Sequence, residues 1–183
     1  MKYLLLIIIL LIPLNLAAEQ KNGIDFFVTA DTFVIDAAWT KQVAIKVGLQ
    51  LIESSGVGVK LPFNFVIDRS GSSEAIFESA LQLVFYPWQK GPFINLTLAQ
   101  IDLFIGPYLP PQKIHYLNEI AFGYTYRFLP SWFVQLSLLY RDPSNTFIES
   151  FEYINSHIPS FQKFRFSLEF GWKFLTVSAK EEK

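Results

Sequence analysis

Between Phe164 and Phe174 the chain alternates without exception. Phe164, Phe166, Leu168, Phe170, Trp172 and Phe174 hold one set of positions, and Arg165, Ser167, Glu169, Gly171 and Lys173 hold the other. A period of two sends neighbouring side chains to opposite faces of a sheet, so this segment predicts a strand with one apolar and one polar face. The pattern recurs upstream. Trp132 to Arg141 sets Trp132, Val134, Leu136, Leu138 and Tyr140 against Phe133, Gln135, Ser137, Leu139 and Arg141. Leu117 to Phe128 sets Ile120, Phe122, Tyr124, Tyr126 and Phe128 against Glu119, Ala121, Gly123, Thr125 and Arg127. Phe93 to Gly106 slips phase midway, and a bulge near Ala99 and Gln100 restores it. Phe77 to Tyr86, Val57 to Ile67 and Val43 to Ile52 complete the regular set, although Pro62 removes a ladder donor from its strand. Ile24 to Ala38 is blurred and is assigned as a first strand because seven is an awkward number.

The connections divide by length. Links after the second, fourth and sixth strands are tight (Glu53 to Gly56, Trp88 to Gly91, Leu129 to Ser131), whereas Asp68 to Ser73, Gly106 to His115 and Asp142 to Ser160 lie on the other side and include the longest links. Short turns on one side and longer loops on the other are the habit of transmembrane β-barrels, with the short turns and both termini in the periplasm. Trp88, Trp132, Trp172, Phe93, Tyr126, Phe128 and Phe174 fall near the short-turn ends. Tyr140, Tyr116, Phe104, Phe77 and Phe164 fall at the other rim, giving two aromatic girdles at headgroup level.

Composition fits that reading. The 183 residues are 17% aromatic, with 19 Phe, 8 Tyr and 4 Trp, and the mean hydropathy is +0.31. No apolar run after Ala18 approaches the ~20 residues of a membrane helix, so the hydrophobicity is spread in alternation. The start of the chain reads as a signal peptide over 1–18, with Lys2, an apolar run from Leu4 to Ile12, and Ala17-Ala18 before a mature start near Glu19. The expected division is a signal peptide, a barrel over 19–174 and a polar periplasmic tail over 175–183. A net charge of -1 without a basic stripe argues against nucleic acid as a partner, and the absence of Cys excludes a disulfide scaffold or a lipidated cysteine anchor.

Alternation alone leaves two barrels possible, because a lipocalin is apolar within and wet outside. Volume separates them. The large, often aromatic residues of the apolar faces exceed what the interior of an eight-stranded barrel holds, while the opposite set is rich in small residues such as Gly48, Ala80, Gly123, Ser137 and Gly171. No Gly-x-Trp accompanies the first strand either. The expected fold is all-β, an eight-stranded antiparallel up-and-down transmembrane barrel. Its architecture over about residues 24–174, with the ending Gly171-Trp172-Lys173-Phe174, resembles the small outer-membrane barrels of diderm bacteria, of the OmpX, OmpW and OmpA-transmembrane type. That resemblance implies the outer membrane, contact with lipopolysaccharide or other outer-leaflet lipid, and the barrel-assembly machinery as a partner. The usual pattern ends on the aromatic residue, whereas Leu175 to Lys183 follow here.

Inward positions then carry Lys46, Lys60, Glu78, Gln82, Asp102, Glu119, Arg127, Gln135, Arg141, Arg165, Glu169 and Lys173. Mixed signs in a narrow lumen predict a plug of salt bridges and hydrogen bonds, because a buried charge without a partner is costly. The alternatives are a narrow pore or ligand slot of the OmpW kind and, third, a lipid A-modifying enzyme. His115-Tyr116-Leu117-Asn118 faintly resembles the His-x-Ser-Asn stretch of lipid A deacylases, but Leu117 stands where the nucleophile would be. His115 is read as a rim residue and His157 as a solvated loop residue. No cofactor or metal motif is present. Phe147, Phe151 and Phe161, with Ile148, Tyr153 and Ile154, make the longest loop more apolar than solvent requires; it is expected to fold over the mouth, the alternative being an exposed binding surface.

Overall fold

In a closed wall every strand finds a partner on both sides, which removes the unpaired edges that an alternating sheet would otherwise expose. The computed structural model, which describes residues 23–31, 42–68, 75–105, 114–158 and 161–178, is such a wall. Its strands are β1 (Gly23–Asp31), β2 (Gln42–Glu53), β3 (Val57–Asp68), β4 (Ala75–Phe85), β5 (Gly91–Ile105), β6 (Ile114–Tyr116), β7 (Glu119–Leu129), β8 (Trp132–Arg141) and β9 (Phe164–Ser178). Apart from β6 and β7, which both pair with β5, each pairs antiparallel with the next, and β1 pairs with β9 to close the ring. β6 and β7 share one place in the wall, lying along opposite ends of β5, so the barrel is eight-stranded. The interruption falls at Leu117 and Asn118, inside the single strand expected from Leu117 to Phe128. There the Asn118 carbonyl accepts the Asp142 amide at 2.8 Å, one position beyond the Glu119↔Arg141 pair of β7 and β8.

Register explains the irregular stretches. Leu81 pairs with Ala99 and Gln82 with Thr97, so Leu98 is the extra residue of the bulge, next to the expected position. Pro62 faces Gly48 on β2, while the β3–β4 ladder passes from Lys60↔Gln82 to Phe63↔Ser79 without pairing Leu61 or Pro62. The last strand does not stop at Phe174. Phe174 is bulged between Lys173↔Phe27 and Leu175↔Phe26, and pairing resumes to Ser178↔Gly23. Leu175 and Val177 are exposed apolar positions of the wall, so the polar tail expected from 175 begins no earlier than 179; the bulge had broken the alternation that would have revealed this. Residues 1–18, the first strand beyond Asp31 and the segment 179–183 lie outside the described residues.

The two faces separate cleanly. Ile45, Leu49, Leu98, Phe122, Leu136, Phe166 and Phe170 are exposed on the outer surface, while Lys46, Gln50, Lys60, Glu78, Gln135 and Glu169 are buried inside. Short turns and both ends of the described chain lie at one end, hereafter the turn end; the other is the loop end. Gly56 (φ 89) and Gly91 (φ 81) supply the left-handed backbone of the first two turns. The loop end carries a helix, α1 (Ile148–His157).

Candidate functional site

The lumen is layered. Nearest the turn end, Phe27, Ile52, Val84, Tyr86, Phe93 and Phe133 form a buried apolar cluster. Phe27 and Phe133 meet edge to face at 5.3 Å, and Tyr86 and Phe93 lie 5.5 Å apart. Two inward glycines make room for it. A Cβ on Gly123 would collide with the Phe93 ring, and one on Gly171 with the Phe133 ring. These aromatics stand in the polar set of their strands. Phe93, expected in the outer girdle, is therefore turned inward, its ring lying over Gly123 of the neighbouring strand.

Polar groups fill the middle. The Tyr86 hydroxyl accepts from Gln135 Nε2 at 2.7 Å and lies 3.1 Å from Thr125 Oγ1. Glu169 pairs with Lys46 at 3.1 Å and with Lys60. Asp31 accepts from Ser167 at 2.6 Å and lies 3.8 Å from Arg165. Arg141 bridges Glu119 at 2.8 Å and Glu78 at 3.5 Å, and Glu78 also accepts from Asn64. Asn95 donates to Gln82 at 2.9 Å, and Gln100 to Asp102 at 3.0 Å. Lys46, Asn64, Glu78, Gln82, Glu119 and Arg165 surround a water-sized cavity. An ion paired on several sides in this way offsets the desolvation that an isolated buried charge would suffer.

At the loop end Phe151, Ile154, Ile158 and Phe161 pack on Ala44, Val66, Ile76 and Leu117 of the wall. The loop expected over Asp142 to Ser160 thus contains a helix, and most of its apolar residues pack on the wall, Ile148 remaining exposed. The signal was in the spacing: Phe147, Phe151, Ile154, Ile158 and Phe161 recur at intervals of four and three, the stripe of an amphipathic helix. Arg141 joins this cap to the polar layer. Its guanidinium lies 3.6 Å from the Phe161 ring centroid and donates to the Gln162 carbonyl at 3.3 Å. Asp142 Oδ1 accepts the Phe147 amide at 3.1 Å, and Asn155 donates to the Phe161 carbonyl at 2.8 Å.

Most of the expected inward set meets in this network: Lys46, Lys60, Glu78, Gln82, Asp102, Glu119, Gln135, Arg141, Arg165 and Glu169. Arg127 does not. It is exposed at the turn-end mouth, its guanidinium 5.6 Å from the Phe27 ring, because that apolar layer fills the space a deeper side chain would need. Lys173 is half-buried near the same rim and pairs with Asp25 at 3.4 Å. Trp88, Trp132, Trp172, Phe174 and Tyr126 are exposed toward the turn end, with Trp132 and Trp172 neighbours at 6.1 Å. Tyr140 is half-buried at the loop end and stacks on Phe164 at 4.7 Å. His115 is not a loose rim residue but is buried in β6, and His157 is half-buried at the end of α1.

No protein-family model matches the chain, and no curated protein matches its sequence. Among solved structures it is similar to the N-terminal β-barrel domain of Pseudomonas aeruginosa OprF, with a TM-score of 0.53 and 11% sequence identity over 85% of this chain and 100% of that one. At that identity the likeness shows the fold, a closed eight-stranded antiparallel barrel.

Proposed function

We propose that the chain is an outer-membrane β-barrel protein with both termini in the periplasm, acting as a structural or surface-interaction element rather than as a channel or an enzyme. The observation that carries this is the filling of the lumen. Apolar layers at both ends enclose paired charges, while the outer wall is apolar over its length. Such a molecule needs a hydrocarbon medium outside and offers a solute no continuous path inside. The aromatic stretch Trp172-Lys173-Phe174 within β9 is the feature the assembly machinery would read, and outer-leaflet lipid or lipopolysaccharide is the medium around the loop end. Purified refolded protein should require detergent or lipid to remain soluble, should give no steady large conductance in planar bilayers, and should leave lipid A unchanged by mass spectrometry. Steady large conductance or modified lipid A would overturn this reading.

One observation favours a second reading, a narrow conduit for small hydrophobic molecules: among the described residues, the apolar layer at the loop end is carried largely by one segment, α1 with Ile158 and Phe161, packed on the wall. A small apolar ligand that copurifies and is released by Phe151→Ala or Phe161→Ala would put the conduit first.

A further inference from the structure

Inward residues run in rows across β2, β3 and β4. Ala44, Val66 and Ile76 stand opposite one another in register and carry the apolar layer of α1. One step deeper come Lys46, Asn64 and Glu78, again in register. A further step inward the positions are Gly48, Pro62 and Ala80, all small or compact. Long polar side chains thus stand above short ones, and the short row leaves space inside the wall. Pro62 and Ala80 line the resulting cavity together with Lys46, Asn64, Glu78 and Gln100, at the place where the β3–β4 ladder passes over Leu61 and Pro62. Its volume is about 20 Å³, and one water needs about 10 to 15 Å³ on the same measure.

The side chains around this cavity are short of donors. Asn64 directs its amide N–H groups to Glu78 and Gln100 directs its own to Asp102, which fixes the oxygen end of each amide. Asn64 Oδ1, Gln100 Oε1 and Glu78 Oε1 have no hydrogen-bond donor among the described residues, and all three side chains are more than nine-tenths buried. Arg141 reaches Glu78 Oε1 only at 3.5 Å, which serves charge attraction better than a hydrogen bond. A buried acceptor left bare forfeits its solvation, so whatever occupies the cavity should donate to these oxygens. A cation is the poorer occupant. Lys46 and Arg165 already balance Glu78 and Glu119 around the cavity, and a further positive charge would have no counter-charge there. A water molecule can donate to two of the oxygens and accept from Lys46, whose ammonium has donors beyond the one that meets Glu169.

We propose that this cavity is a hydration site: a water molecule donates to two of the bare oxygens of Asn64, Glu78 and Gln100, accepts from the Lys46 ammonium, and is a fixed part of the lumen. The polar layer is then completed by solvent and not by protein groups alone. Such a site is independent of the medium around the wall.

Magnetic relaxation dispersion of water nuclei, measured on the full refolded chain in detergent, counts the waters that the protein retains while it tumbles. Ala80→Leu, which fills the cavity, should lower the dispersion amplitude by one water. Asn64→Leu, which keeps the volume and removes an acceptor, should lower it as well, and it serves if Ala80→Leu fails to refold. Phe166→Leu on the outer face should retain the wild-type amplitude. Exchanging sodium chloride for choline chloride at equal ionic strength should leave the urea midpoint unchanged. A wild-type amplitude no larger than that of Ala80→Leu or Asn64→Leu, the same loss in Phe166→Leu, or a midpoint that depends on sodium would overturn the hydration site.

Discussion

The two apolar layers of the lumen use similar side chains and differ in what carries them. At the turn end Phe27, Ile52, Val84, Phe93 and Phe133 come from five strands, β1, β2, β4, β5 and β8, so that layer is removed only by opening the wall. At the loop end Phe151, Ile154, Ile158 and Phe161 come from one continuous segment with α1 at its centre. Equal burial therefore does not mean equal cooperativity. Apolar contacts distributed over the wall belong to global unfolding, whereas contacts concentrated in one excursion can be lost by a local opening that leaves every strand paired.

The largest effect should come from the distributed layer. Phe133→Ala removes the partner of Phe27 and the ring over Gly171, and should cost about 3 to 5 kcal/mol in urea unfolding from lipid or detergent. A loss below ~1 kcal/mol would mean that this layer does not hold the wall together. Next comes the wall itself under the membrane reading. Leu168, opposite Leu136 on β8, should lie near the bilayer midplane, so Leu168→Arg should cost about 2 to 4 kcal/mol, while Ser167→Asn beside it, facing polar groups, should cost far less. Equal stability of the two variants would mean that the faces are misassigned.

A smaller effect is expected at the glycine beneath the ring. Gly171→Ala forces the Phe133 ring to shift and should cost about 1 to 3 kcal/mol, and the double variant Gly171→Ala with Phe133→Ala should cost less than the two losses summed. Strict additivity would show that the close approach is not what fixes the glycine. The smallest global effect should be at the cap. Ile154 is fully buried, yet Ile154→Ala should leave the unfolding midpoint of the barrel nearly unchanged and raise hydrogen exchange throughout α1. A midpoint shift as large as that of Phe133→Ala would erase the contrast between the two layers.

What could be read from the chain follows the same division. Wall positions obey a period of two, so most of the inward network, the outward tryptophans and the bulge beside Ala99 were legible. The turn-end layer was not, because Phe27, Phe93 and Phe133 occupy positions that the alternation marks as polar; a lumen that is polar in its middle and apolar at its end has no single code. β1 looked blurred for the same reason. Phe27 is inward and apolar while Thr29 and Asp31 on the same face are polar. The cap was legible only in part, since apolar content marked it for burial but the four-three spacing of its helix lay inside a segment read as a loop. The overrun of β9 past Phe174 was hidden by its bulge.

That overrun bears on how the ring is completed. β1 and β9 lie at opposite ends of the described chain, so their seam joins the two wall segments farthest apart in sequence. Asp25 meets Thr176 Oγ1 at 2.6 Å and Lys173 Nζ at 3.4 Å across this seam, one partner on each side of the bulge at Phe174. A strand slipped by one residue would carry both partners away and turn the outer aromatics inward. The seam thus contains a two-pronged test of alignment that only the correct final pairing passes, and the bulge sets the spacing of the prongs.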